Sequence, residues 1–372
     1  MKLLHTGDLH IGKYVHEFSM LEDQRYILSQ IAGLAVRESV DALLITGDIY
    51  DRAVPTAEAV TILDEFLTGL LKQGILIFII SGNHDSPERV GFASRILEKQ
   101  GLYITGMYED GGKKITLNDA FGKVSFFSLP YCKPGVQGYA DCQEMLEQMV
   151  KTLQVDTAER NVLLTHFFVT DGGRTPLLSD SETAVHVGGL DNVDAGLFAA
   201  FDYTALGHIH RPQRIGAGAV YYAGAPLAYS FSEAGCDKSV NIITLEEKGK
   251  VSVKQEILSP LRQMRCIRGR LDAIMQAAAG QKSEDYVQVT LTDEEEPYDP
   301  VGTLRSAYPN LMQLLLSKNE PEQTAALEWE YAAENRPPLL LYEDFYREVR
   351  GTEMDEARRR VIEEAMKEAE GE

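Results

Sequence analysis

The sequence predicts an α/β protein: a two-sheet β-sandwich flanked by helices, then a small α/β unit and C-terminal helices. Three observations lead there. Apolar runs of four to six residues recur along the chain and end in Gly, Asp or His, the pattern of buried strands that deliver polar residues at their carboxyl ends. Helical stripes alternate with the first of these runs, and β-α-β alternation places helices over a sheet. From Lys113 the chain turns strand-rich, and after Pro260 strand and helix alternate again.

The elements follow in order. Lys2–His5 is a strand that delivers Asp8-Leu9-His10. Ser19 and Glu22 have capping-box spacing, with Ile27, Ile31, Leu34 and Ala35 as the stripe of the helix behind them. Ala42–Thr46 is a strand ahead of Gly47-Asp48; Val60, Leu63, Leu67 and Leu70 form a second stripe, ended near Gly74. Ile75–Ile80 leads to Gly82-Asn83-His84-Asp85. Lys113–Leu117 and Lys123–Leu129 read as strands, Val162–Thr165 precedes His166, and Tyr203–Leu206 precedes Gly207-His208-Ile209-His210. Gly218–Tyr222, Val240–Leu245 and Val251–Ile257 continue the β character.

The first unit should end at Leu258-Ser259-Pro260. Met264–Arg270, Tyr286–Thr292 and Leu311–Leu316 then read as strands, with Leu271–Ala278 and Pro300–Ala307 as helices between them. From about Glu320 the chain is helical. Leu339 to Leu341, Tyr342, Phe345, Tyr346 and Val349 follow Pro337-Pro338, and Val361, Ile362, Ala365 and Met366 follow Thr352-x-x-Asp355. This apolar stripe either packs on its own domain or docks on a partner. The expected boundaries are therefore 1–259, 260–319 and 320–372.

Carboxylate, amide and imidazole groups converging from several strand ends suit manganese, iron or zinc better than soft metals. Asp-x-His alone is weak and Gly-Asp after a strand weaker still, often only a turn, whereas Gly-Asn-His-Asp and Gly-His-x-His after strands are stronger. Together they hold five of the eight histidines; His5, His16 and His186 have no such context and read as structural.

Composition is that of an ordinary globular protein, with 44% hydrophobic and 25% charged residues. No apolar run approaches a membrane span or a signal h-region. Cys132, Cys142, Cys236 and Cys266 lack Cys-x-x-Cys spacing and read as reduced thiols, so the cytoplasm is the expected compartment. The net charge of −21 sits poorly with a nucleic-acid partner, which calls for a basic footprint. Residues 1–256 carry 22 Lys+Arg against 33 Asp+Glu, and the remainder 14 against 24. One cation cluster stands out: Arg262, Arg265, Arg268 and Arg270. On a strand, Arg268 and Arg270 would share a face, either as a solvated surface or as phosphate contacts.

Asp8-Leu9-His10, Gly47-Asp48-Ile49-Tyr50-Asp51 with Pro55, and Gly-Asn-His-Asp-Ser-Pro at 82–87 are joined by His166, Ser179-Asp180-Ser181-Glu182, Asp202 to His210, and Tyr229-Ser230-Phe231-Ser232-Glu233. On these residues the chain resembles the calcineurin-like metallophosphoesterase superfamily and, within it, the SbcD-type nuclease subunits. The resemblance is closest over residues 1 to about 260. One departure, Gly224-Ala225-Pro226 where the family usually has Gly-Ser-Pro, removes a hydroxyl but no expected ligand.

The resemblance implies a metallophosphoesterase fold with two divalent ions, most simply Mn2+. It implies that Asp8, His10, Asp48 and His210 hold one ion and that Asp48, Asn83, His166 and His208 hold the other. A shared carboxylate keeps two cations roughly 3.5–4 Å apart, where they clamp attacking and leaving oxygens and lower the pKa of water from ~15.7 toward ~7. His84 is implied as the non-ligand catalyst at the leaving 3′ oxygen, oriented by Asp51 as carboxylates commonly orient histidines. Asp85 either supports the site or only starts a turn. The implied function is a DNA exonuclease and endonuclease of repair and recombination. Residues 260–319 would cap the DNA groove with Arg262, Arg265, Arg268 and Arg270, and residues 320–372 would dock on an SbcC-like ATPase, which binds the ATP. Homodimerisation through the early helices is also implied. The rivals are a phosphatase or small-molecule phosphodiesterase on the same site, although such protein phosphatases usually carry Gly-Asn-His-Glu, and a non-catalytic scaffold.

Overall fold

Residues bearing apolar side chains on both strand faces need cover on both sides, and the chain provides it in four layers. The computed structural model describes residues 1–109, 111–180, 191–278, 282–295 and 297–317, with single positions at 346, 354, 358, 359 and 362. Two six-stranded sheets face each other. The first runs Val251–Ile257, Ser239–Leu245, Lys2–Thr6, Ala42–Thr46, Leu76–Ile80, Leu102–Thr105, with the last four strands parallel. The second runs Gln213–Arg214, Val220–Tyr222, Tyr203–Gly207, Arg160–His166, Gly122–Leu129, Lys113–Asp119, parallel through its four middle strands.

Alternation along each strand sorts the core. In Ala42–Thr46, Ala42 and Leu44 pack between the sheets with Leu3, Phe78, Phe126 and Leu164. Leu43 and Ile45 pack outward against the helices Leu21–Arg37 and Ala57–Lys72, which are the crossovers joining parallel neighbours. The second sheet covers its outer face with helix Cys142–Thr152 through Leu146 and Met149. Strands buried on both faces have no polar side to show, which is why they read as unbroken apolar runs. His5 falls on the inter-sheet face, bonded to the Tyr203 hydroxyl at 2.9 Å and to Thr46 Oγ1 at 3.2 Å. Burial pulls its pKa down to about 3, so it is a neutral core residue.

A third sheet of parallel strands, Met264–Gly269, Tyr286–Leu291 and Leu311–Leu316, carries helices Leu271–Ala278 and Pro300–Arg305 over its own core. It is tied to the first unit through Asp23. Asp23 Oδ2 accepts from the Tyr286 hydroxyl at 2.7 Å and from Arg262 at 2.8 Å, and the same guanidinium reaches Glu22 at 2.6 Å. None of the four cysteines forms a disulfide, and among the described residues no helix is long and apolar enough to cross a membrane.

Several local expectations need correction. The Ser19–Glu22 capping box does not form. Ser19 lies in the hairpin Tyr14–Val15/Phe18–Ser19, the helix is capped at Met20 without a side-chain bond, and Glu22 turns to Arg262. The second stripe is rotated by one residue: Val60 is exposed, and Ala59, Ile62 and Phe66 are buried with Leu67 and Leu70. Thr56, which accepts from the Ala59 amide, sets that phase. The strand after Pro260 stops at Gly269, so Arg268 and Arg270 do not share a strand face. The strand Leu102–Thr105 and the helix Cys142–Thr152, capped by Asp141, add to the expected elements. Ser181, Glu182, His186 and, apart from the single positions named, the segment 320–372 lie outside the described residues.

Candidate metal centre

All the expected ligands leave the carboxyl ends of parallel central strands. Asp8 and His10 follow Lys2–Thr6, Asp48 follows Ala42–Thr46, Asn83 follows Leu76–Ile80, His166 ends Arg160–His166, and His208 and His210 follow Tyr203–Gly207. The loops stay paired beyond the strands: His10 N donates to Asp48 O at 2.9 Å and Ile11 N to Ile49 O at 3.0 Å. Two glycines permit close approach: Gly82 between neighbouring strand ends of the first sheet, and Gly207 between the two sheets. A Cβ on Gly82 would lie 2.1 Å from Asp48 Oδ1, and one on Gly207 would lie 1.8 Å from the Thr46 carbonyl oxygen. Asp8, His10, Asp48 and His208 adopt positive φ (51°, 44°, 47° and 105°). Asp and His tolerate this region better than most residues, and such conformations cluster where the surroundings enforce a functional geometry.

The structure brings all seven side chains together. His10 Nε2 and His210 Nε2 are 3.1 Å apart. Asn83 Oδ1 lies 3.0 Å from His166 Nε2 and 2.9 Å from His208 Nδ1. Asp48 Oδ2 stands between these groups, 3.6 Å from His10 Nε2 and 3.5 Å from His166 Nε2. Each carboxylate has one oxygen fixed from another strand end: His208 N donates to Asp8 Oδ1 at 2.8 Å and His84 N to Asp48 Oδ1 at 2.9 Å. The remaining Asp8 oxygen is buried and has no hydrogen-bond partner among the described residues.

A buried carboxylate oxygen without a donor is costly, and two imidazole nitrogens at hydrogen-bond distance share at most one proton. Cations would satisfy both. The chemistry of the donor set therefore fits divalent metal, with Asp8, His10 and His210 as one candidate group and Asp8, Asp48 and His166 as another.

The charge balance of the side chains points the same way. Burial pushes the Asp8 carboxyl up to about 7 against the pull of His166 and His210. Burial opposes ionisation of Asp48 too, but His166 and His10 hold it well below the carboxylate range. Burial keeps His10 well below its usual value, so its lone pair is available. His166 is pulled down by burial yet held at about 9 by Asp48 and Asp8. A cation there must displace a proton.

Supporting groups fix the ligands. His166 Nδ1 donates to the Thr46 carbonyl at 2.7 Å, leaving Nε2 toward Asp48 and Asn83. Gln24 donates to His10 O at 2.7 Å and accepts from Gly12 N, and the Tyr229 hydroxyl donates to Leu9 O. Buried Glu233 lies 3.9 Å from His210 Nδ1 and pairs with Lys238, whose ammonium also reaches His210 O at 2.9 Å. Burial pushes the Glu233 carboxyl up, but His210 and Lys238 outweigh it and hold it at about 2. Asp85 proves to be a clamp, its carboxylate accepting from the amides of Ile49, Tyr50 and Gly82 at 2.9–3.1 Å. Sequence reasoning misses the roles of Gln24, Glu233 and Lys238; the Tyr229–Glu233 run is the one local signal that points toward them.

His84 is exposed, with its ring edge-on to His10 at 4.8 Å. The contact with Asp51 forms through the backbone carbonyl of Asp51 at 3.1 Å; the carboxylate expected to make it instead binds Lys13 at 2.8 Å. His84 also has a ring nitrogen within ligand reach of His10 and Asp48. The four arginines do not form one open patch. Arg262 is bound by Glu22 and Asp23 and Arg265 by Asp285, and Arg265, Arg268 and Arg270 are all exposed.

The chain is similar to known proteins. The family described as calcineurin-like phosphoesterase matches residues 1–212, and the one described as type 5 capsule protein repressor C-terminal domain matches residues 260–350. The SbcD subunit of nuclease SbcCD from Staphylococcus epidermidis is 35% identical over 84% of this chain and 85% of its own length. Its namesake from Staphylococcus saprophyticus is 32% identical over 84% of each. Among solved structures, a dimetal phosphatase from Danio rerio matches 68% of this chain and 95% of its own with a TM-score of 0.41 and 13% identity.

Proposed function

Since the chain belongs to the calcineurin-like phosphoesterases, and within them to the SbcD-type nuclease subunits, we infer that it is a metal-dependent nuclease that hydrolyses phosphodiesters. The observation that carries this reading is Asp48 Oδ2 standing 3.6 Å and 3.5 Å from imidazoles of two ligand groups. A phosphatase reading is disfavoured by Asp85-Ser86-Pro87 after Asn83-His84 and by the nuclease relatives.

The finer assignments are these. Asp8, His10, Asp48 and His210 hold one divalent cation, and Asp48, Asn83, His166 and His208 hold the second, with Mn2+ the fitting ion for this oxygen and nitrogen set. When bound, such a pair supplies Lewis-acid charge to the phosphate and a nucleophile at neutral pH. Asp51 fixes the His84 ring by accepting from Nδ1–H, which presents Nε2 outward to protonate the departing oxygen. Asp85 holds the loops of Asp48 and Asn83 in register by three amide bonds.

The substrate is DNA, cut as a double-strand exonuclease and as a single-strand or hairpin endonuclease in repair and recombination, in the cytoplasm. Residues 1–259 form the nuclease domain and 260–319 the capping domain. Residues 320–372 dock on an SbcC-like ATPase, which would supply cations that this acidic chain lacks. Arg262, Arg265, Arg268 and Arg270 contact the DNA backbone, the last three from exposed positions. A homodimer is supported by the apolar side chains left exposed around helices Pro87–Val90 and Ser94–Leu97, with Phe92 80% and Ile96 72% accessible. The test compares linear duplex DNA with p-nitrophenyl phosphate esters in manganese, with and without the ATPase. Faster turnover of the monoester than of DNA would overturn the nuclease reading.

A further inference from the structure

The rim of the candidate metal centre carries a lysine that is neither an expected ligand nor part of the His84 contact with the Asp51 carbonyl. Resting on the nuclease reading, we propose that Lys13 binds a backbone phosphate of the substrate strand beside His84. Lys13 follows the ligand loop directly, and its amide donates to His10 O at 3.0 Å, so the turn is fixed. Its ammonium bonds Asp51 Oδ1 at 2.8 Å, and that same oxygen lies 3.8 Å from His10 Nδ1. It also sits 5.6 Å from the centre of the Tyr229 ring, which packs edge-on against His10 and His210.

The charge is thus anchored on two sides against the histidine end of the cluster. Asp51 serves both rim groups: its carboxylate holds Lys13 and its carbonyl holds His84. An ammonium has three protons, and Asp51 takes one. The side chain is 18% accessible, so it is not sealed from solvent. A compact point charge of this kind suits phosphate. The need for it is plain in a chain of net charge −21, because backbone cations dominate affinity for nucleic acid.

The experiment measures steady-state cleavage of linear duplex DNA by the full chain loaded with manganese, over a series of salt concentrations. Wild type is compared with Lys13→Gln, Lys13→Met (which keeps the stem against Tyr229) and Lys13→Arg. For Gln and Met the expected KM rises about 10-fold and the slope of log KM against log salt falls by about 0.9, while kcat stays within about threefold and manganese content is unchanged. Arg should restore KM and slope. Unchanged KM and slope in Gln and Met, with wild type active, would overturn the proposal. So would loss of manganese or of folding in both, which assigns the ammonium to its pair with Asp51 alone. Wild type that neither binds nor cuts DNA would sink the nuclease reading itself, and this proposal with it.

Discussion

Removing the imidazole of His84 should separate turnover from metal binding. The ring is exposed, makes one hydrogen bond to the Asp51 carbonyl at 3.1 Å, and touches His10 edge-on. His84→Ala leaves that carbonyl within reach of water and opens no cavity, so stability should change by no more than about 0.5 kcal/mol. The amide that bonds Asp48 Oδ1 belongs to the backbone and survives the change, which keeps the carboxylate aimed. Loss of a general acid costs about 100- to 10,000-fold in rate, or about 2.7–5.4 kcal/mol of activation free energy. The assay pairs single-turnover cleavage of duplex DNA with manganese content per chain. Asp48→Ala, measured beside it, should lose both ions, because Asp48 Oδ2 faces both ligand groups. Two results would refute the reasoning. Cleavage by His84→Ala at the normal rate removes its catalytic role. Loss of one manganese makes it a ligand, which its reach to His10 and Asp48 allows.

Gly82→Ala would place a Cβ 2.1 Å from Asp48 Oδ1 and 2.3 Å from the Asp48 amide, so manganese affinity by calorimetric titration should fall about 10- to 100-fold; unchanged affinity would show that the loop moves aside cheaply. Arg262→Ala strips the buried Asp23 carboxylate of its cation and should destabilise by about 3 kcal/mol in denaturant melts, and lower the salt slope of DNA cleavage. A lower slope at full stability would make Arg262 a phosphate contact alone. Asp119 accepts from Arg160 and the N-terminal ammonium, and the Arg160 bond above all holds its carboxyl below the usual range. A depressed folded pKa stabilises above the unfolded value of about 3.9 and is lost as pH falls below it. Asp119→Asn should therefore cost about 1–3 kcal/mol at pH 7, with the gap narrowing steadily as melts are taken below about pH 3.9; a gap independent of pH would rule out the carboxylate charge as its source.

Much of the candidate site is legible because each expected ligand announces itself locally. Asp8, Asp48, His166 and His208 lie within a few residues of the end of an apolar run, and a run buried on both faces can only be a central strand. Other features depend on partners distant in sequence. The role of Asp85 follows only from its three donors, on Ile49, Tyr50 and Gly82. Asp51 was expected to meet His84 with its carboxylate; Lys13 competes for that group and the carbonyl makes the contact instead. Phase errors have the same origin. Val60 and Ala59 fit an amphipathic helix equally well on paper, and the Thr56 cap decides which one faces the sheet.

The linear chain by itself determined which side chains are offered to a metal and on which strand ends, because strand burial and ligand chemistry are written within a few residues. Only the tertiary structure decided how those ends meet: Gly82 letting its loop close on Asp48 and Gly207 letting the second sheet close on Thr46, Glu233 and Lys238 bracing His210, and Asp23 turning Arg262 from a surface cation into a tie to helix Leu21–Arg37. The physical reason is distance. Coulomb attraction, hydrogen bonding and steric contact act over a few ångströms, and residues separated by hundreds of positions come under them only when the fold closes.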